Sequence, residues 1–232
     1  MKFGVVIFPG SNCDRDLIET LSAISGSPVE ELWHKDTDLK GVDFVFLPGG
    51  FSYGDYLRSG AIAKLSPIMQ SVQEHAAKGG YVMGICNGFQ ILCESGLLPG
   101  ALLRNTNQQF ICKNVFLKPA NTNLKITNLL SRDKSYKIPI AHGEGRYYAD
   151  EATLKQIEDN GQVLFRYCDE HGEVNEAGNP NGSLNNIAGI CNAGKNVFGM
   201  MPHPERCFAE HLHNGDGRGI FESIMAAAGV NA

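Results

Sequence analysis

Apolar runs too continuous for a one-sided surface alternate along the chain with stretches whose apolar residues recur every three or four positions. The first run, residues 3–8, ends at Pro9-Gly10 and predicts a buried strand followed by a loop. Leu17, Ile18, Leu21 and Ile24 fall at helical spacing, with Ser11 or Asn12 available to cap that helix and Gly26 to stop it. Residues 29–33 and 44–47 predict the next two strands, the second ending at Pro48-Gly49-Gly50. Residues 62–77 have helical spacing, with Pro67 near the start or at a kink. Residues 80–85 predict a strand that meets a helix at Cys86. Beyond a turn at 97–100, strands are predicted at 110–117, 125–130, 136–141, 163–167, 187–191 and 197–201. Helices are predicted near 154–157 and over 219–228, and a Gly/Asn/Glu-rich surface loop over 171–186.

This alternation implies an α/β fold of three layers, a mostly parallel central sheet with helices on both faces. With no linker interrupting the pattern, residues 1–232 are expected to form one domain. In such sheets ligands sit beyond the carboxyl ends of the strands, where the turn after Phe8, the Gly49-Gly50 turn and Cys86 should converge.

A formal net charge of −5 with scattered basic residues gives no nucleic-acid or membrane surface. No apolar stretch is long enough to span a bilayer, and the first apolar run is too short for a signal peptide. The 7 cysteines are odd in number, widely spaced and without a Cys-x-x-Cys pair. They point to a reducing cytoplasm and away from a disulfide framework or a cysteine zinc site.

Candidate chemistry centres on Gly84-Ile85-Cys86-Asn87-Gly88. A strand-to-helix turn flanked by glycines has the form of a nucleophile elbow, here presenting a thiol. Unpaired N–H groups and the helix dipole favour its thiolate, and the same N–H groups, Asn87 first, suit a tetrahedral oxyanion. The competing reading is one more buried cysteine. A thiol nucleophile needs a histidine and a group to orient it. His203 directly follows the run 197–201, with prolines on both sides and Glu205 two residues on; taken alone, the same pair is a surface turn. His211, His213 and Asp216 lack further ligands of recognisable spacing, so no metal site is assigned. His142 either lines the pocket or belongs to a structural turn, and His34, His75 and His171 read as surface residues.

Gly84-Ile85-Cys86-Asn87-Gly88-Phe89-Gln90, Pro48-Gly49-Gly50 and His203-Pro204-Glu205 resemble the triad-type (class I) glutamine amidotransferases, whose fold is flavodoxin-like. Residues 48–60, Pro9-Gly10-Ser11-Asn12-Cys13-Asp14 and Ala141-His142-Gly143-Glu144-Gly145-Arg146 are similar to the branch of glutaminase subunits of phosphoribosylformylglycinamidine synthase. The resemblance implies a glutaminase whose Cys86 attacks the glutamine amide, with His203 shuttling the proton and Glu205 fixing its tautomer. It further implies an oxyanion hole at Gly50 and Asn87, and a substrate wall of Gln90, Phe51, His142 and Glu144. The chain lacks a phosphate-binding Gly-x-x-x-x-Gly-Lys loop and is expected to carry no cofactor. ATP and Mg would then reside on a large synthase subunit, accompanied by a small third subunit. That partner would use the ammonia to convert formylglycinamide ribonucleotide to formylglycinamidine ribonucleotide in purine biosynthesis. Arg58, Asp14 and the loop 211–218 are potential contacts at the rim. The alternative is a stand-alone cysteine hydrolase or γ-glutamyl peptidase on the same fold.

Overall fold

A computed structural model describes residues 1–212, 214–227 and 229. The elements in chain order are β1 (Phe3–Ile7), α1 (Asp14–Ser25), β2 (Glu30–Trp33), β3 (Phe44–Leu47), α2 (Pro67–Ala77), β4 (Tyr81–Ile85), α3 (Asn87–Glu94), β5 (Ala101–Leu103) and β6 (Ile111–Pro119). They continue with β7 (Tyr136–His142), β8 (Arg146–Tyr148), α4 (Glu151–Asp159), β9 (Val163–Cys168), β10 (Ile187–Cys191), β11 (Val197–Met200) and α5 (Asp216–Ala227). Nine strands form one sheet in the order β2-β1-β3-β4-β11-β10-β9-β6-β7.

From β2 to β11 every pairing is parallel, and from β11 to β7 every pairing is antiparallel. The α/β class thus stands, with its parallel character concentrated in the first half. There the chain steps from β1 outward to β2 and from β3 the other way to β4. Right-handed crossovers in opposite directions place α1 and α2 on opposite faces of the sheet. Strands covered on both sides need apolar residues at every position, and β3 and β11 are buried throughout. Each such side chain contributes roughly 1.5–3 kcal/mol on burial. In contrast, β7 alternates buried and open positions.

Several expectations are corrected by local chemistry. Residues 125–130 form successive turns, Thr127 N–H to the Leu124 carbonyl and Leu130 N–H to the Thr127 carbonyl, each 3.0 Å. Ile126 and Leu130 are buried there, four residues apart, a spacing that suits turns better than a strand. Neither Ser11 nor Asn12 caps α1: Cys13 occupies the cap position, and Ser11 Oγ instead donates to the Gly49 carbonyl. Pro67 is the first residue of α2, preceded by a separate 3₁₀ turn at Ala63–Leu65. α5 starts at Asp216 rather than Gly219, because Gly217 serves close packing: a Cβ there would lie 2.0 Å from the Pro204 carbonyl oxygen. Its expected end, Ala228, lies outside the described residues. The two-stranded sheet of β5 and β8 had no signal in the sequence, each strand being only 3 residues long.

Candidate active site

At the end of β4 the backbone turns sharply into α3, and Cys86 takes φ 50° and ψ −106° there. A non-glycine residue in that region stores roughly 1–3 kcal/mol of strain, which the surroundings must hold. They do so with the Cys86 N–H donating to the Met200 carbonyl at 2.8 Å and the Gln90 N–H closing the first helical turn on the Cys86 carbonyl at 3.1 Å. The flanking glycines are needed for contact: a Cβ on Gly84 would lie 2.4 Å from Gly88 C, and one on Gly88 2.0 Å from the Leu47 carbonyl oxygen. The turn is therefore pressed directly against β3.

β11 runs parallel to β4 with Met200 beside Ile85, so residues following the two strands emerge at one rim. The chain beyond β11 bends through Pro202, and the His203 N–H donates to the Pro139 carbonyl of β7 at 2.9 Å. The imidazole Nδ1 lies 2.6 Å from Glu205 Oε1, with both side chains almost fully buried. Glu205 belongs to a short 3₁₀ turn, Pro204–Arg206, whose backbone is held by Thr20 Oγ1. Burial alone would lower the pKa of His203. The charge of Glu205, then that of Cys86, with the Cys13 and Cys86 sulfurs as nearby acceptors for imidazolium, outweighs it and carries the imidazole well above its ordinary value. Nε2 makes no closed hydrogen bond, the looser geometry common in a free enzyme.

Cys86 also approaches the Ala141 carbonyl, at 3.8 Å. It opens into a cavity of about 220 Å³ that Gly50, Phe51, Gln90, His142 and Glu144 line as well. Asn87 stands behind this wall, its side chain accepting from Ser52 N–H at 3.1 Å and donating to Gln90 Oε1 at 2.9 Å. The Gln90 amide then donates to the Glu144 carbonyl at 2.6 Å, so it braces two walls as well as lining the space. His142 is buried, and burial, followed by the charge of His203, lowers its pKa to about 4. It is a neutral side chain at pH 7.

Sequence reading missed Asp55, Ser59, Arg104 and Phe110, which complete the cavity. Burial raises the pKa of Asp55, Ser59 opposes that with a hydrogen bond, and Glu144 adds repulsion. Arg104 follows β5, a strand too short to be read, so its position was invisible. A zwitterion finds both signs of charge around this space.

Two histidines are corrected from surface to interior: His34 is buried and His75 half-buried. His171 is exposed as expected. The loop 171–186 is also partly interior, where buried Asn181 donates to the Gly145 carbonyl at 2.9 Å. His213 lies outside the described residues, and His211 packs edge-on against Phe208. Cys13 was also missed. It brings its sulfur, with His203 and Glu205, into a group whose donor atoms lie within 4.8 Å of one another. Arg206 donates to this sulfur at 3.1 Å and to Asp16 at the same distance. Within that group His203 Nδ1 and Glu205 Oε1 bond each other, while His203 Nε2 and Glu205 Oε2 have no partner among the described residues.

A family model described as a CobB/CobQ-like glutamine amidotransferase domain matches residues 1–221. The phosphoribosylformylglycinamidine synthase subunit PurQ of Gloeobacter violaceus is 55% identical over 228 residues, 98% of each chain. The subunit of the same name from Trichormus variabilis is 58% identical over 225 residues, 97% of each chain. A chain in the structure of PurLQS from Thermotoga maritima superposes with a TM-score of 0.84 at 42% identity, covering 98% of this chain and 100% of that one. With a thiol, an imidazole and a carboxylate gathered at one rim of such a sheet, the chain belongs to the class I glutamine amidotransferases, close to the PurQ subunits.

Proposed function

We propose that Cys86, His203 and Glu205 form a catalytic triad through which the chain, acting as one glutaminase domain, hydrolyses L-glutamine and hands ammonia to a synthase subunit. The observation that carries the reading is the buried 2.6 Å bond between His203 and Glu205 at the rim where Cys86 follows β4. The sulfur attacks the amide carbon, and His203 gives its proton to the departing nitrogen, leaving a γ-glutamyl thioester that water cleaves. Asn87 is the first residue of α3, so its N–H has no carbonyl four residues back to meet. With Gly50 N–H it receives the developing oxyanion, each donor contributing about 3–4 kcal/mol to the transition state.

Arg104 holds the substrate carboxylate, and Asp55 with the Glu144 side chain holds its ammonium group. Phe51, Gln90 and His142 shape the wall between them. No cofactor enters this chemistry; ATP and Mg serve the amination on the partner, which forms formylglycinamidine ribonucleotide in purine biosynthesis. Tyr56, Leu57 and Leu65 are 87%, 71% and 76% exposed on and just beyond the loop that lines the cavity. They are apolar surface for the synthase subunit to cover, with a small third subunit completing the complex. Free thiols at all seven cysteines suit a reducing cytoplasm, and among the described residues no helix is long and apolar enough to cross a membrane.

Glutamate release by the chain assembled with its synthase subunit tests the reading. Cys86→Ala is expected to lower it by about 10⁴-fold. Retention of wild-type activity would remove the triad.

A further inference from the structure

The segment that begins at Gly50 carries a proposed oxyanion donor and Asp55, yet it has no regular structure beyond one distorted turn. Its backbone is pinned to the first loop of the chain, with Phe51 N–H to the Gly10 carbonyl at 3.1 Å and Tyr53 N–H to the Pro9 carbonyl at 2.6 Å. Tyr53 itself sits at φ 55° and ψ 26°, a left-handed conformation that a bulky side chain rarely adopts. Something must hold it there. Its hydroxyl reaches inward, 2.5 Å from His34 Nδ1 and 2.9 Å from Ser66 Oγ.

His34 lies at the end of β2 with its backbone fixed at both ends, its N–H donating to the Ile7 carbonyl and its carbonyl accepting from Ile68 N–H. Its ring packs against Trp33 and Tyr53 and is buried, while Nε2 has no partner among the described residues. Burial, more than the neighbouring Lys35, lowers its pKa and keeps the ring neutral. The hydroxyl of Tyr53 bonds both Nδ1 of His34 and Oγ of Ser66, as donor to one and acceptor from the other. A buried histidine that leaves one nitrogen unpaired in order to bind a strained tyrosine is an unexpected expense for a fold that needed only apolar filling at this place.

We propose that His34 and Tyr53 are positioning residues: their bond latches the loop 50–60 so that the Gly50 N–H faces the oxyanion and stays there during the reaction. This rests on the glutaminase reading above. Asp55 is tied to α3 separately, by Asn87 at 3.4 Å, so releasing the latch acts on the transition state more than on substrate binding.

The test measures steady-state glutamine hydrolysis in the assembled complex, together with the rate at which iodoacetamide alkylates Cys86. Tyr53→Phe is expected to lower kcat about tenfold with KM changed less than twofold, while alkylation keeps its wild-type rate because the thiol and its base are untouched. His34→Leu does the same, and the double variant is no worse than the poorer single one, since both remove one bond. His34→Asn restores most of kcat, its side chain again presenting a polar atom near the Nδ1 position. Wild-type kcat in Tyr53→Phe, a loss confined to KM, an additive double variant, or failure of His34→Asn to rescue would each overturn the latch. Failure of the triad reading has a different signature, full activity in Cys86→Ala.

Discussion

The two halves of the sheet divide the labour differently. In the parallel half all strands end at one rim, so β3, β4 and β11 deliver Gly50, Cys86 and His203 to neighbouring places. β3 and β11 are buried throughout, and the turn from β4 into α3 tolerates no extra atom at Gly84 or Gly88. The antiparallel half contributes wall, with His142 and Glu144 from the end of β7 and just beyond, and Phe110 from just before β6. One strand alternates there between core and open positions, and Gly143 has room at the cavity, although a Cβ on Gly145 would lie 2.2 Å from the His142 ring. The proposed reaction centre thus rests where parallel strands end together, and the proposed substrate wall on the antiparallel half. The same contrast marks two histidines: His203 is carried to a higher pKa by Glu205 and Cys86, which outweigh burial, whereas burial takes His142 down.

The sharpest way to break this comparison is at the carboxylate proposed to orient the base. Glu205→Gln is expected to cost about 10³-fold in kcat. It also removes the chief influence raising His203, so the alkaline limb of the pH–rate profile should move to lower pH. An unchanged alkaline limb would show that Glu205 does not set the charge on the imidazole.

Packing gives the next contrast. Gly88→Ala forces a Cβ to within 2.0 Å of the Leu47 carbonyl oxygen, whereas Gly143→Ala meets nothing closer than Phe110 at 3.8 Å. Urea unfolding should show a loss of about 3 kcal/mol for the first and less than about 1 kcal/mol for the second. Equal losses would mean that these two turns are equally tight.

The His142 shift sets a pH window. Its folded pKa of about 4 lies below the ordinary 6.5, so between those values the unfolded chain binds a proton that the folded chain does not. Stability therefore falls as pH drops through that window, by roughly 3 kcal/mol in all. His142→Gln should flatten that part of the stability–pH curve. His203 acts with the opposite sign, its contribution being full below pH 6.5 and lost as pH rises through its elevated folded value.

The smallest effect expected is on recognition. Arg104→Ala should raise KM for glutamine at least about tenfold with kcat nearly held, as loss of a charge-assisted bond to a carboxylate predicts. A fall in kcat at constant KM would move Arg104 from binding to chemistry.

The parallel half was the more legible in sequence because its central strands are covered on both faces. Continuous apolar runs such as 44–47, and glycines where backbones touch, leave strong patterns. Cys86, His203 and Glu205 could be picked out because each follows such a run. Arg104, Asp55 and Cys13 could not, since their places depend on a short strand, an irregular loop and a fold-back across the chain. His34 was misread because a polar residue at a strand end usually meets water. Here it meets Tyr53, through a contact 19 residues apart. The 125–130 segment was misread because buried residues in successive turns imitate a strand's composition.

The bond from the His203 N–H to the Pro139 carbonyl joins β11's loop to the outermost strand, although three strands lie between them in the sheet order. The ribbon must curl until its far border touches its own middle. A push on that border consequently reaches the proposed general base by a single peptide contact, a shortcut by which a neighbour gripping β7 would shift His203 without entering the cavity.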